Sequence, residues 1–516
     1  MRYALVSGGV ISGVGKGIIA SSTGLLLKSL GLRISCIKID PYVSVDAGLM
    51  APAEHGECLR NTYLPYAIGG NYERYLGLTL TGDNNITTGK IYLEVLQKER
   101  RGGYLGKTVQ IVPHVVDMIL DWIKRVAEVP VDGSGEEPDV CIIELCRGTV
   151  GDIENALTQL RHEAGSDNFL SIFVSYVPLV HGEQKTKPTQ HAVKTVRSHG
   201  LIPDLVEVEQ VVVIRDMPTV YQVPLLLREQ SLVPLLQSKL NLGGLSIPPS
   251  AVAAGAKLWE TWTSVVTKTF DPTVDIALVG KYVQHHDAYL SVEKSLEHSC
   301  MRIGRNLNIC WIDSKHLEPK TQAEEPEKYQ AAWDQPKTAS GILVPGGFGV
   351  RGVEGMMLAS RWARENGTPF LGVCLGFQTT VIQYARDKCS ISGANSEEFY
   401  AGANDHVIIH MAEVIEERHR HRYEVNLQYV ERLIKAGLHF IGKDTKGERM
   451  GVFELKDHPY FVGAQFHAEY QSRVLNPSKP YLGFVAASAG CLHEVIREQG
   501  LAASNLTNGV NGGNHF

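Results

Sequence analysis

The chain has no apolar run approaching the ~20 residues of a membrane-spanning helix, which argues against a helical membrane protein. It has no pair of cysteines at C-x-x-C spacing. Its nine cysteines are scattered, a pattern that fits a reducing compartment better than a disulfide framework. It has no surplus of positive charge: 50 Lys and Arg stand against 56 Asp and Glu, a net charge of −6, which argues against nucleic acid as the main partner. No internal repeat is visible. The chain opens directly on an apolar strand, Tyr3-Ala4-Leu5-Val6, leaving no room for a signal peptide, so a cytoplasmic protein is expected, without a membrane partner. At 516 residues the chain is too long for one core, and two or three domains are expected.

What is present is a repeated alternation of short apolar strands and helical patterns. To about Trp262 the strands include Tyr3–Ser7, Arg33–Lys38, Asp139–Glu144 and Phe169–Tyr176. Such alternation predicts a parallel sheet covered by helices. A helical stretch near Ser250–Ser264 runs into Thr267-Lys268-Thr269-Phe270-Asp271-Pro272-Thr273, where proline breaks the pattern. A strand then restarts at Val274–Gly280, and a second α/β pattern continues to about Cys491. The expected fold is therefore α/β in two domains, 1–264 and 274–500, joined by a linker over 265–273. The Asn- and Gly-rich tail 501–516 is expected to be disordered.

The run Phe370-Leu371-Gly372-Val373-Cys374-Leu375-Gly376-Phe377-Gln378 is a strand, a glycine-flanked nucleophile and a helix start. Such an elbow raises a thiol to the rim of a sheet, where the helix N-terminus favours its thiolate. An ordinary thiol, with pKa ~8.5, is only a few per cent thiolate at neutral pH, so a base is required. Val462-Gly463-Ala464-Gln465-Phe466-His467-Ala468-Glu469 supplies a histidine at a strand end and a carboxylate two residues on. Cys374, His467 and Glu469 form a candidate nucleophilic triad. By itself Gly-x-Cys-x-Gly also describes a small core residue. The downstream His-x-Glu favours catalysis.

A second motif follows the first strand: Ser7-Gly8-Gly9-Val10-Ile11-Ser12-Gly13-Val14-Gly15-Lys16-Gly17-Ile18. Glycines let successive N–H groups face an anion, a helix N-terminus adds its positive end, and Lys16 adds a point charge. Gly17 stands where the common P-loop has a magnesium-binding Ser or Thr. A plain glycine turn packing a helix on a sheet is the competing reading. Lys38-Ile39-Asp40-Pro41-Tyr42 should emerge at the carboxyl edge of the sheet, where open α/β sheets bind ligands. Lys185-Thr186-Lys187-Pro188-Thr189-Gln190 follows an apolar strand and suits a triphosphate, although a solvated charged loop would read the same way. Glu144, Asp152 and Glu154 begin at another strand end, where a carboxylate can hold magnesium between phosphates.

Together these segments resemble the CTP synthase family from Met1 to about Cys491. The resemblance rests on Gly8–Ile18, Lys38–Tyr42, Glu54-His55-Gly56-Glu57, Asn71-Tyr72-Glu73-Arg74, Asp83–Tyr92, Gly106–His114, Gly148–Glu154 and Lys185–Gln190. In the second half it rests on Val344–Gly355, Gly372–Gln378, Glu417–Asn426 and Gln465–Glu469. It implies a P-loop-like amidoligase domain fused to a class I glutaminase domain. In the glutaminase, Cys374 would attack the glutamine amide, His467 would shuttle the proton and Glu469 would orient it. Gly347 would be the oxyanion-hole glycine, and Leu375, Gly376, Phe377, Gln378, Glu398 and Arg422 would bind glutamine. In the amidoligase, Gly13, Val14, Gly15, Lys16, Gly17 and Ile18 would hold ATP, with Lys38 and Asp40 supporting phosphoryl transfer. Ser12 and Lys185–Gln190 (Lys185, Thr186, Lys187, Pro188, Thr189, Gln190) would hold UTP, or CTP as inhibitor, with Asp152, Ile153 and Glu154 on the inhibitor's side. Glu144 would be a Mg2+ ligand. The family further implies an enclosed passage for ammonia, GTP as activator, a homotetramer and filaments.

The chain also departs from that pattern. Between Glu57 and Asn71 relatives carry an acidic stretch whose second Asp holds magnesium; here the stretch Cys58–Gly70 has no carboxylate. Cys146-Arg147 replaces two glycines after Glu144, and Ala468 replaces a proline. A Ser-x-Pro-Phe-type segment after Glu154, a lysine-bearing segment beyond Val206 and a Met-Arg-Leu-Gly segment before Glu413 are missing. Whole segments vanish while flanking matches persist, the pattern that misjoined exons leave. The departures also admit a divergent, weak synthase, a catalytically impaired subunit with a filament or regulatory role, or a chain retaining only glutaminase activity.

Overall fold

The computed structural model describes residues 1–9, 13–45, 70–146, 151–198, 200–204, 213–215, 217–410, 423–444 and 446–498. Ser12, Arg422, the Glu54–Glu57 motif, the carboxylate-free stretch up to residue 69 and the tail 501–516 lie outside the described residues. The chain divides into two compact units, one running to Thr267 and one from Lys268.

In the N-terminal unit, β1 (Arg2–Gly8), β2 (Ile34–Asp40), β3 (Asn85–Thr87), β4 (Val140–Leu145) and β5 (Phe169–Val174) form one sheet. Its order is β3-β2-β4-β1-β5 and every pairing is parallel. Parallel strands are covered on both faces and read as continuous apolar runs. All six residues of β4 are buried, so Glu144 stands out as a carboxylate in an apolar run. The helix Lys16–Ser29 is buried at every position from Ile19 to Leu27, because the sheet and neighbouring helices enclose it. On the opposite face, Ile119 and Ile123 of Val116–Ala127 pack with Leu157 and Leu160 of Gly151–Ala164. An exposed hairpin of β6 (Leu179–Val180) and β7 (Glu183–Gln184) precedes the helix Lys187–Ser198.

The C-terminal unit contains β8 (Thr273–Gly280), β9 (Asn306–Asp313), β10 (Gly341–Val344), β11 (Phe370–Val373), β12 (Ala394–Ser396), β13 (Asp405–His410) and β14 (Tyr423–Val425). It ends with β15 (His439–Lys443), β16 (Met450–Glu454) and β17 (Phe461–Ala464). The main sheet runs β15-β16-β17-β11-β10-β8-β9. From β17 to β9 the pairings are parallel, while β15 and β16 add an antiparallel edge. A smaller sheet, β12-β13-β14, lies in the same unit. The parallel register pairs Val344 with Gly372 and Val373 with Ala464. The carboxyl ends of β10, β11 and β17 therefore lie side by side.

Candidate functional site

Cys374 follows β11 directly and caps the helix Leu375–Lys388 with φ 52° and ψ −102°. A non-glycine residue at positive φ is strained unless its surroundings hold it there. Here the Cys374 N–H donates to Ala464 O at 2.8 Å, and Cys374 O accepts from the Gln378 N–H at 3.1 Å. Gly376 is required for this elbow, since a β-carbon there would lie 2.0 Å from Val344 O. Gly346 is required opposite it, since a β-carbon would lie 2.9 Å from His467 Cε1 and 3.4 Å from Cys374 Cβ. The same distances bring the Cys374 side chain and the imidazole together beside Gly346.

His467 lies just beyond the end of β17, and its Nδ1 is 2.7 Å from Glu469 Oε1. That carboxylate fixes the proton on Nδ1 and leaves Nε2 for proton exchange. Nε2 is buried without a hydrogen-bond partner among the described residues, and the Cys374 thiol lies near enough to act on the ring's charge. Burial opposes charge on the ring, but Glu469 and then Cys374 outweigh it, and the imidazole is pushed up to about 10. The second oxygen of Glu469 accepts from the Tyr481 hydroxyl at 3.2 Å. Cys374, His467, Glu469, Gly346, Gly347, Tyr282 and Tyr289 all line one cavity of about 40 Å³.

The remaining glutamine-site expectations divide by location. Gln378 is buried, and its Nε2 donates to Tyr423 O at 2.9 Å and Gln465 Oε1 at 3.3 Å. Glu398 accepts from the Gly349 N–H at 3.0 Å, beside the loop that contains Gly347. The side chains of Leu375 and Phe377 are buried in apolar clusters, Phe377 at 4.9 Å from the Phe453 ring. At these two positions only the backbone N–H groups of the first helical turn are left for a ligand.

In the N-terminal unit a second set of charges gathers at the carboxyl ends of β1, β2 and β4. Gly13 and Gly15 both have positive φ, 76° and 95°, and turn the chain from Gly13 through Val14 into Lys16, Gly17 and Ile18. Lys16 is buried and folds back over the end of β1, since a β-carbon on Gly8 would meet its Cδ at 2.8 Å. The Lys38 ammonium is 3.5 Å from the fully buried Asp40 carboxylate, which also accepts from Asn85 Nδ2 at 2.8 Å. Burial opposes charge on Lys38, but the Asp40 and Glu144 carboxylates overcome it and raise the group above its ordinary range. Tyr72 donates to Glu144. A β-carbon at Gly17 would lie in ordinary contact with Asn71 Nδ2 at 3.4 Å and Glu144 Oε2 at 3.5 Å, so the carboxylate lies beside the position of a P-loop Ser or Thr. Among the described residues no cluster of three or more His, Cys, Asp and Glu side chains is placed to hold a metal ion. Magnesium usually needs only one or two protein carboxylates when phosphates supply the other oxygens, so Glu144 fits as a single ligand.

The described pyrimidine-nucleotide candidates lie on the start of the helix Gly151–Ala164 and on the segment that leads from the hairpin into the helix Lys187–Ser198. Asp152 accepts from the Tyr92 hydroxyl at 3.4 Å, Glu154 lines a small cavity with Ser7 and Cys146, and Ile153 is buried in the core. Lys185 pairs with Glu183 on the exposed hairpin. Lys187 and Pro188 open the following helix, Gln190 Nε2 donates to Thr186 Oγ1 at 3.3 Å, and the Ser175 and Thr189 hydroxyls are 2.9 Å apart.

Sequence reasoning missed Tyr481, Tyr289 and Lys281. Tyr481 carries no signal in an apolar helix. Lys281 does: a lysine directly after the apolar strand β8 follows the rule that singled out Lys38. None of the described helices is long and apolar enough to cross a membrane.

Two family models match, "CTP synthase N-terminus" over residues 2–208 and "Glutamine amidotransferase class-I" over 284–487. The chain is 56% identical to a CTP synthase of Neurospora crassa over 584 positions, covering all of both chains. It is 51% identical to one of Gibberella zeae, again covering all of both chains. It is 49% identical to one of Schizosaccharomyces pombe, covering 96% of this chain and 94% of the relative. At 584 positions the first alignment has 68 more than the 516 residues present here, so segments of the relative have no counterpart in this chain. With identity of this extent across both domains, the chain belongs to the CTP synthase family.

Proposed function

We propose that this chain aminates UTP to CTP at the expense of ATP, using ammonia released from glutamine at Cys374. The observation that carries the reading is the buried Cys374–His467–Glu469 arrangement at the ends of adjacent parallel strands, in a chain that also bears the Lys16, Lys38, Asp40 and Glu144 cluster. In the glutaminase, Cys374 passes its thiol proton to His467 Nε2, and Sγ bonds to the carboxamide carbon as the carbonyl electron pair moves onto oxygen. The N–H groups of Gly347 and of the helix start at Leu375 face that charge. As the pair returns, the C–N bond breaks and His467 gives its Nε2 proton to the departing nitrogen, leaving a thioester and ammonia. Water then attacks the thioester with His467 as base, releasing glutamate and the thiol. Glu469, held by Tyr481, keeps the ring in the tautomer that both steps need. Gln378, Glu398 and Arg422 orient glutamine.

In the amidoligase, the turn Gly13–Gly17 and Lys16 hold ATP phosphates. Lys38, supported by Asp40, faces the charge that develops as phosphate passes to the uracil 4-oxygen, and ammonia then displaces that phosphate. Glu144 is the residue that would hold magnesium, which would supply positive charge beside the phosphates. Ser12 and Lys185–Gln190 take the UTP triphosphate, with Asp152–Glu154 beside bound CTP. GTP activation, a homotetramer and filaments belong to the same reading, as does a cytoplasmic location. The boundaries proposed for the domains are 1–264 and 274–500.

A narrower reading, in which only glutamine hydrolysis survives, is favoured by the segments without counterpart and the single magnesium carboxylate. The deciding experiment compares CTP formation from UTP, ATP and Mg2+ with glutamine and with ammonia as nitrogen source. Product from both is expected. Glutamate release without CTP from either source would leave the narrower reading, and no reaction at all would leave a structural or regulatory subunit.

A further inference from the structure

The Gly346–Gly347 peptide carries no side chain on either flank, so little in its own chemistry fixes which way it faces. In a planar trans peptide the Gly346 C=O and the Gly347 N–H point in opposite directions. Whatever grips the carbonyl therefore decides where the N–H is aimed.

We propose that Tyr289 and Lys281 are positioning residues for acyl transfer to Cys374, fixing the carbonyls of Gly346, Phe348 and Gly349 and so aiming the Gly347 N–H at the oxygen that becomes negative. The inference rests on the reading of Cys374 as nucleophile and Gly347 as oxyanion donor. Tyr289 is buried, and its hydroxyl accepts from the N–H groups of Lys281 at 3.0 Å and Tyr282 at 3.4 Å and donates to Gly346 O at 3.4 Å. One donor and two acceptor sites of the phenol are thus all engaged. Lys281 is 3% exposed, and its Nζ donates to Phe348 O at 3.2 Å and also to Gly349 O. Its stem lies along the loop, 3.2 Å from where a Gly347 β-carbon would stand. Tyr282 and Glu398 hold the other polar groups, accepting from the Phe348 N–H at 3.3 Å and the Gly349 N–H at 3.0 Å. The Gly347 N–H is left without a partner among the described residues. Cys374 and His467 line the same cavity as Gly346 and Gly347.

The test compares two reactions of Cys374 that differ in whether an oxyanion forms. Glutamate γ-semialdehyde adds the thiol across its carbonyl, forming a C–S bond and moving the π pair onto oxygen. Iodoacetamide alkylates the same sulfur and expels iodide, with no charge building on a carbonyl oxygen. In Tyr289→Phe the semialdehyde affinity should fall about tenfold or more, a fraction of the effect of deleting an oxyanion donor outright, while the alkylation rate stays within about twofold of wild type. Lys281→Met should show the same split and serves if the first variant does not fold. Affinity within about twofold of wild type, or an equal fall in alkylation, overturns the proposal. Cys374→Ala separates the two layers: if it still forms the adduct and hydrolyses glutamine, the nucleophile assignment has failed, whatever the other variants do.

Discussion

Replacing Glu469 by Gln keeps the shape of the triad and removes its buried negative charge. Glu469 is 2% exposed, His467 is 8% exposed, and the two are 2.7 Å apart. A buried hydrogen bond to a charged group contributes about 1.5–3 kcal/mol. At roughly 1.4 kcal/mol per decade, its loss in the transition state lowers kcat by about 10- to 100-fold. The carboxamide can also donate to Nδ1, which would place the ring proton on Nε2 and block the base, so the larger figure is expected. The ring's proton affinity moves as well. With the carboxylate present the imidazole is raised to about 10; without it, burial acts downward with less opposing it. The basic limb of the pH profile for glutamine hydrolysis should therefore move to lower pH. The assay is glutamate release across pH, with ammonia-driven CTP formation as the control that must stay unchanged. A kcat within about threefold of wild type and an unmoved profile would refute the assignment of Glu469 as the orienting carboxylate.

Tyr481→Phe should lower kcat for glutamine hydrolysis severalfold with little change in KM, because it frees one oxygen of Glu469 without touching substrate; an equal change in KM would point to the pocket instead. Gly376→Ala should destabilise the C-terminal unit by about 1–3 kcal/mol or more, since its β-carbon meets Val344 O at 2.0 Å; an unchanged urea midpoint would contradict it. Glu144→Gln should abolish ammonia-driven CTP formation while glutamine hydrolysis persists, and loss of both would show that the change spreads beyond the metal site. Burial pushes the Lys281 ammonium down from 10.5 to about 8, with Glu398 opposing and Arg351 assisting. Between these values the unfolded chain binds the proton that the folded chain has lost, so this residue's contribution to stability rises with pH across that window. As the folded ammonium loses its charge around pH 8 its bonds to Phe348 O and Gly349 O weaken, so glutaminase kcat should decline above pH 8, and Lys281→Met should lack that component.

Much of the architecture was legible because parallel strands buried on both faces leave unbroken apolar runs, and such a run needs a reason to contain a charge. Lys38, Asp40 and Glu144 were conspicuous because they stand at the ends of such runs, on the carboxyl edge where open α/β sheets bind ligands, and Cys374 was conspicuous because glycines flank it where a helix begins. The two segments carrying Cys374 and His467 meet because β11 pairs with β17, which the sequence implies only through family resemblance. Tyr289 and Tyr481 were invisible for a different reason. Tyr481 sits in an apolar helix and Tyr289 at the start of an amphipathic one, places where an aromatic ring reads as core, and only the position of one hydroxyl among distant polar groups reveals its role. Ile153 illustrates the converse: it lies between two acidic candidates, Asp152 and Glu154, yet its side chain belongs to the core.

The nucleophile, the glycine loop opposite it and the base hang from three neighbouring strands, whose alignment is held by backbone pairing and, between β11 and β17, by the stacked Phe370 and Phe461 rings. Sliding β17 by a single residue against β11 would displace His467 by about 3.3 Å and turn it to the opposite face. Reactivity at Cys374 is thus a ruler for the sheet's alignment, and a half-assembled domain should be chemically silent rather than merely slow.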